Sequence, residues 1–201
     1  MELILASTSP RRRELLQKLG YRFTACSPGV DEGAVAAAAA DRPPEELARE
    51  LARQKARAVF ARHPDAAVLG ADTVVALGEH VFGKPSGPEQ AQAMLTQLSG
   101  REHRVCTGVT VCSPAGEESG TVTTTVRFFP LTQEEIARYV ASGEPLDKAG
   151  AYGIQGLGAL LVQEIRGDYF AVMGLPVARV ARILGRIGVF PWGNGGKISV
   201  K

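Results

Sequence analysis

Ala6-Ser7-Thr8-Ser9-Pro10-Arg11-Arg12-Arg13-Glu14-Leu15-Leu16 is the stretch around which the rest of the chain is organised. The apolar residues Leu3-Ile4-Leu5-Ala6 predict a buried strand, and Leu15, Leu16 and Leu19 recur at helical spacing as far as Gly20, a C-terminal cap. The junction is therefore strand, hydroxyl-rich turn, helix. Ser9 suits the N-cap, and Pro10 the first helical position, where its missing N–H costs nothing. Arg11, Arg12 and Arg13 follow in the first helical turn, against a macrodipole that favours Asp or Glu there. An anion between the helix start and the guanidinium groups removes the conflict. Free backbone N–H groups, the Ser7 and Ser9 hydroxyls and the Arg donors would form a phosphate cradle. A solvated basic turn is the plainer alternative.

The 201 residues are 45% hydrophobic and 22% charged, with a formal net charge of +2, enough chain for a real core. So balanced a charge argues against a general nucleic-acid binder. Cys26, Cys106 and Cys112 form no paired CxxC spacing and read as thiols in a reducing compartment. The apolar start is too short for a signal peptide, and no apolar run approaches the ~20 residues needed to cross a bilayer. A soluble cytoplasmic protein is the expectation.

Outward from the junction, residues 21–26 suggest a second strand, followed by a loop carrying Asp31 and Glu32. Residues 34–40 are an alanine tract, compatible with a helix. Residues 41–62 carry the strongest helix signal, with Pro43 and Pro44 at the start, Glu45-Glu46 in the first turn and Leu47 and Leu51 on the apolar face. Lys55 lies on the same side. Residues 66–77 read as a central strand interrupted by one carboxylate, Asp72, and 81–85 as a short return strand. A helix over 88–98, strands over 101–112 and 119–129, and a helix from Thr132 with Glu135 at the capping-box position follow. Residues 150–158 are glycine-dense and contain Gln155; 159–165 read as a strand, and 172–187 as a helix interrupted by Pro176. The fold class is α/β: a mixed central sheet with flanking helices, one domain over 1–190 and a Gly-rich, poorly ordered tail over 191–201.

Asp72 must have a partner, because an unpaired carboxylate buried among Val, Leu and Ala is prohibitively costly. Two readings stand: a salt bridge to Lys or Arg, or a metal ligand or general base opening into a cleft. Gly70 and Thr73 would suit close approach of a ligand to the strand. Glu32 gains interest because a phosphate site with a divalent ion needs several oxygen ligands. Lys84 is held in a Gly-Lys-Pro turn. His63, His80 and His103 share no metal or nucleophile spacing, and the P-loop and GxGxxG signatures are absent.

Four ordered motifs resemble one family. Ser7-Thr8-Ser9-Pro10-Arg11-Arg12, Gly70-Ala71-Asp72-Thr73-Val74-Val75, Gly83-Lys84-Pro85 and the run from Ala141-Ser142-Gly143-Glu144 to Gly153-Ile154-Gln155-Gly156 are similar to the Maf family, a likeness running from Leu3 to about Ile187. Maf proteins are nucleoside-triphosphate pyrophosphatases, first described as septum-formation inhibitors. Their fold is like that of the inosine-triphosphate pyrophosphatases, with a cleft between two lobes. The last motif resembles the branch acting on dTTP and UTP, whereas the branch preferring 7-methyl-GTP typically has Glu near the Gln155 position. The resemblance puts the proton acceptor on Asp72 and the specificity positions on Arg11, Thr73 and Gln155. Other polar cleft residues fall on Ser7, Ser9, Arg12, Glu32, Lys55, Lys84 and Lys148. It implies Mg²⁺ or Mn²⁺ bridging the triphosphate to Glu32 or Asp72, and a homodimer. Neither nucleic acid nor membrane is expected as a partner. The rival expectations are a pyrophosphatase for modified purine triphosphates and a nucleotide-sensing division inhibitor without turnover.

Overall fold

The computed structural model describes residues 1–39 and 42–191. In chain order the elements are β1 (Leu3–Ala6), α1 (Pro10–Lys18), β2 (Thr24–Cys26), α2 (Glu32–Ala38), α3 (Pro44–Phe60), β3 (Ala67–Leu77), β4 (His80–Phe82), α4 (Pro88–Leu98), β5 (Glu102–Ser113), β6 (Gly116–Phe128), α5 (Gln133–Ala141), β7 (Val162–Arg166), α6 (Tyr169–Met173) and α7 (Val177–Arg186). Short 3-10 turns at Glu144–Asp147, Ala149–Ala151 and Gly156–Leu161 link α5 to β7. The strands form one mixed sheet in the order β2-β1-β3-β5-β6-β7, with β4 also on β3. β1 runs parallel to β2 and β3, whereas β3, β5, β6 and β7 are successively antiparallel.

One detail of register creates the site. β1 pairs with β3 only as far as Ala6 opposite Gly70, and β4 joins the same edge at Phe82 opposite Val75. Between those points, residues 71–74 of β3 have a strand partner only on the β5 side among the described residues. Asp72 and Thr73 lie in this gap, beside the C-terminal end of β1, where open α/β sheets offer a ligand crevice.

The two faces of β3 carry different helices, because successive side chains alternate. Val68, Gly70, Asp72 and Val74 face α3, which presents the stripe Ala48, Ala52, Lys55, Ala56 and Val59, all buried. On the other face, Leu69 and Ala71 pack with Leu15 and Leu16 of α1 and Val180, Ile183 and Leu184 of α7. Val75 packs instead with Met94, Leu95 and Leu98 of α4 and Ile136, Tyr139 and Val140 of α5. Thr73 falls between these two clusters.

Gly70 serves the helix rather than a ligand, which corrects the expectation from sequence. A Cβ on Gly70 would sit 2.3 Å from the Ala52 carbonyl oxygen, and one on Gly108, the cross-strand partner of Asp72, 2.1 Å from that of Ala48. Small residues on both sides let the α3 backbone lie directly on the sheet. That contact brings Lys55 down to Asp72.

Other local expectations divide by how far their signal reaches. The capping box forms as read: Thr132 accepts from the Glu135 N–H, and the Glu135 carboxylate accepts from the Thr132 N–H at 2.7 Å. Ser9 sits at the N-cap of α1 but its side chain caps nothing; its N–H donates to Ser7 Oγ at 3.1 Å instead. The strand expected over 159–165 starts later, after a 3-10 turn that ends at Leu161. The interrupted final helix is two helices, because α6 stops at Gly174 in the left-handed region before Pro176. Cys106 and Cys112 are buried free thiols, with pKa values pushed up to about 11 by burial. No helix among the described residues is long and apolar enough to cross a membrane. Ala40, Asp41 and the tail expected from 191 onward, except Pro191 itself, lie outside the described residues.

Candidate active site

The open stretch of β3 leads into a cleft of about 590 Å³. Ser7, Ser9, Arg11, Arg12, Glu32, Lys55, Asp72, Thr73, Lys84, Lys148 and Gln155 all line it, although they come from seven separate segments of the chain.

At its floor lies a cation between two acids. Asp72 and Lys55 are 7% and 5% exposed, and Lys55 Nζ donates to Asp72 Oδ1 at 2.5 Å while pairing with Glu32 Oε1 at 2.7 Å. Asp72 thus has the salt bridge its burial requires and still borders the cleft, so the two sequence readings are compatible. Burial acts to raise the Glu32 pKa, but the hydrogen bond and charge of Lys55, aided by Lys84 and Arg12, hold that carboxyl below its ordinary value. The Glu32 carboxylate, which opens α2 rather than lying in the loop expected from sequence, is therefore kept ionised.

Arg12 is a fixture of the wall. Its Nε donates to the Gly174 carbonyl at 2.7 Å, Nη1 to Ser7 Oγ at 3.4 Å and Nη2 to Thr73 Oγ1 at 3.2 Å. Burial draws the Arg12 pKa down, and the charges of Asp72 and Glu32 oppose that effect. The bonds fix the hydroxyls beneath it in turn. Thr107 Oγ1 donates to the Ala171 carbonyl at 2.7 Å, so in its 2.9 Å contact with Thr73 it must accept. Thr73 therefore donates to Thr107 and accepts from Arg12, leaving it no proton for a ligand in this arrangement. Thr107, on β5, was not singled out from sequence; a Thr in a β-branched strand carries no local signal. Thr107→Val is expected to lower stability by about 1–3 kcal/mol, by leaving the Thr73 hydroxyl without its acceptor and the Ala171 carbonyl with the Gly174 N–H alone. Urea denaturation measures this, and Thr107→Ser should restore most of the loss.

The remaining cations stand nearer the mouth. Arg11 Nη1 meets Asp147 at 3.1 Å, and Lys148 Nζ meets the same carboxylate at 2.7 Å as well as the Glu144 carbonyl. Burial tends to raise the Asp147 pKa, but Lys148 and Arg11 bring it below its usual value. Asp147 lies inside a quoted motif, yet nothing in that motif announces a partner 136 positions away. Lys84 is exposed and has no ion pair within 4 Å among the described residues. Ala151, at φ 58°, is the one described non-glycine residue with positive φ; it lies between Lys148 and Gln155. Such strain, of order 1–2 kcal/mol, tends to collect at functional sites. Tyr152 backs the cleft from the core and shares a 2.8 Å hydrogen bond with His103, whose pKa burial lowers to about 4. That histidine packs edge-on against Phe128 and Tyr152 and does not line the cleft.

Gln155 also lines the cleft. It precedes the 3-10 turn Gly156–Leu161, is half-buried, and its side-chain amide has no hydrogen-bond partner among the described residues. The cleft thus joins cations at its mouth, a buried Lys–carboxylate cluster on its floor and a free primary amide, which suits a phosphorylated ligand with a polar planar group.

Comparison with known proteins agrees with this composition. The chain is 50% identical over 195 residues to the dTTP/UTP pyrophosphatase of Symbiobacterium thermophilum, covering 97% of this chain and 98% of that one. It is 53% identical over 195 residues to the protein of the same name from Moorella thermoacetica, covering 96% and 98%. A solved nucleoside-triphosphatase / dITP/XTP pyrophosphatase from Mycobacterium abscessus aligns over 93% of this chain and 97% of that one. It has a TM-score of 0.42 and 14% identity, too distant to carry an argument. A family profile described as Maf-like protein matches residues 2–187, which include every residue placed around the cleft, and the chain belongs to the Maf family.

Proposed function

We propose that this protein is a nucleoside triphosphate pyrophosphatase that cleaves dTTP and UTP between the α and β phosphates. The observation that carries the reading is the meeting of the Lys55–Asp72 pair, the mouth cations and the unpartnered Gln155 amide in one cleft. The names of relatives about half identical over nearly their full length point the same way.

The triphosphate would lie along Arg11, Lys84 and Lys148, with Lys84 the cation free to meet it without first leaving an acid. Arg12 contributes its charge while three of its five N–H donors stay on protein groups. Asp72 Oδ1 is held by Lys55, which leaves Oδ2 to orient a water and take its proton. The water oxygen bonds to the α-phosphorus as the bond to the bridging oxygen breaks. Pyrophosphate departs with that electron pair, leaving the nucleoside monophosphate. The mouth cations stabilise the charge on the departing group.

Among the described residues no group of three or more His, Cys, Asp and Glu gathers as a dedicated metal cage. Glu32 and Asp72, hard carboxylates on the same ammonium, nevertheless fit the way Mg²⁺ or Mn²⁺ is usually held with substrate phosphates, by one or two carboxylates. Such an ion would supply charge neutralisation at the phosphates.

At the base end, a uracil or thymine edge offers an N–H flanked by carbonyls, and one primary amide complements both. The test is pyrophosphate release across dTTP, UTP, dCTP, purine triphosphates and 7-methyl-GTP, with Mg²⁺, with Mn²⁺ and with chelator. Highest rates on dTTP and UTP, abolished by chelation, are expected. Gln155→Glu should cut kcat/KM on those two by about 10–100-fold, the cost of a mispaired charged group, and shift the ranking toward 7-methyl-GTP. No pyrophosphate from any nucleotide would leave a sensor without turnover as the better reading.

A further inference from the structure

The segment carrying Gln155 is anchored in the core by Tyr152 and Ile154, and its backbone is held on both sides of Gln155 by two side chains outside the cleft. The Gly153 N–H donates to the Tyr139 hydroxyl at 3.2 Å, and that hydroxyl donates to Glu144 Oε1 at 3.0 Å. The same carboxylate accepts from the Gly158 N–H on Oε1 at 3.2 Å and from the Leu157 N–H on Oε2 at 2.9 Å. Three N–H groups, one before Gln155 and two after it, thus end on one Tyr–Glu pair. The glycines of the segment fit this arrangement. A Cβ on Gly156, at φ +66°, would lie 2.7 Å from Glu144 Oε2, and one on Gly158 would lie 2.6 Å from the Tyr139 oxygen.

We propose that Tyr139 and Glu144 are positioning residues for base recognition: they clamp the backbone around Gln155 and so set the direction of its amide in the cleft. The proposal rests on the reading that Gln155 meets the base. Neither side chain lines the cleft, so neither touches substrate. Tyr139 is buried on α5 in the core cluster beneath β6, which makes it a rigid post. The Glu144 backbone carbonyl also receives Lys148 Nζ, but a side-chain substitution leaves that bond in place. The base end and the phosphate end can therefore be perturbed separately.

Glu144→Gln keeps the shape and turns one acceptor oxygen into a donor facing N–H groups. We expect KM for dTTP and UTP to rise about 10-fold with kcat within about 3-fold of wild type. Discrimination against dCTP should fall about 10-fold, while inhibition by pyrophosphate, which has no base, stays unchanged. Tyr139→Phe, which keeps the buried ring, should move the same quantities in the same direction by a smaller factor. Amide exchange at Leu157 and Gly158 in Glu144→Gln should accelerate at least 10-fold over wild type. If both variants fold and keep wild-type KM and dCTP discrimination, the proposal is overturned. Equal weakening of dTTP and pyrophosphate would also overturn it, showing a merely structural role. A wild-type protein that ignores dTTP and UTP defeats the activity reading instead; unchanged exchange at Leu157 and Gly158 defeats the clamp whatever the substrate.

Discussion

Asp72→Asn is expected to reduce pyrophosphate release from dTTP by about 10²–10⁴-fold, the range lost when a positioned general base is removed. The amide keeps the size of the carboxylate and an oxygen for Lys55, so the substitution removes the proton acceptor with little change of shape. Lys55 also keeps Glu32 at 2.7 Å and is not left as an unpaired buried charge. The expected stability loss is correspondingly modest, about 1–3 kcal/mol for weakening one charge-assisted hydrogen bond. Steady-state kinetics and thermal melting measure the two effects on one preparation. Turnover within tenfold of wild type would take Asp72 out of the proton-accepting role.

Gly108→Ala should give the largest loss of stability. The added methyl would meet the Ala48 carbonyl oxygen at 2.1 Å and the Arg49 nitrogen at 2.6 Å, both helix backbone atoms that cannot rotate away. Overpacking usually costs 1–3 kcal/mol, and a clash against helix backbone lies at the upper end, about 3 kcal/mol or more. For a chain of this length that corresponds to a fall in melting temperature of about 6–12 °C. The alternative to unfolding is that α3 lifts from the sheet. Lys55 rides on α3 and Gly108 faces Asp72 across the strands, so the lift would also draw Lys55 off Asp72. Molecules that remain folded should therefore lose turnover beyond what the melting curve accounts for. An unchanged melting temperature would mean that the helix slides over the sheet at no cost.

These two predictions differ in how far the sequence anticipates them. Asp72 stands out unaided, because a single acid in a run of Val, Leu and Ala contradicts its own surroundings. Gly108 sits in a strand of Val, Thr and Cys and signals nothing until α3 is laid across it. Arg11, Arg12 and Arg13 are intermediate. Their conflict with the helix dipole marks an anion-binding region, but the pattern treats them alike. The fold separates them: Arg13 is exposed, Arg11 is paired with Asp147, and Arg12 is held by Gly174, Ser7 and Thr73.

By itself the sequence determined the strand–turn–helix junction, the long α3, the acid-bearing β3 and the capping box at Thr132. Each of these depends on residues within a few positions of one another, where periodicity, caps and backbone preferences act directly. Only the tertiary structure decided which groups meet: Lys55 with Asp72 across 17 positions, Thr73 with Thr107 across 34, and Arg12 with Gly174 across 162. A buried charge or hydroxyl requires a partner without specifying which one. That choice was made when α3 settled on Gly70 and Gly108, and when β1 and β4 left residues 71–74 of β3 open along one edge.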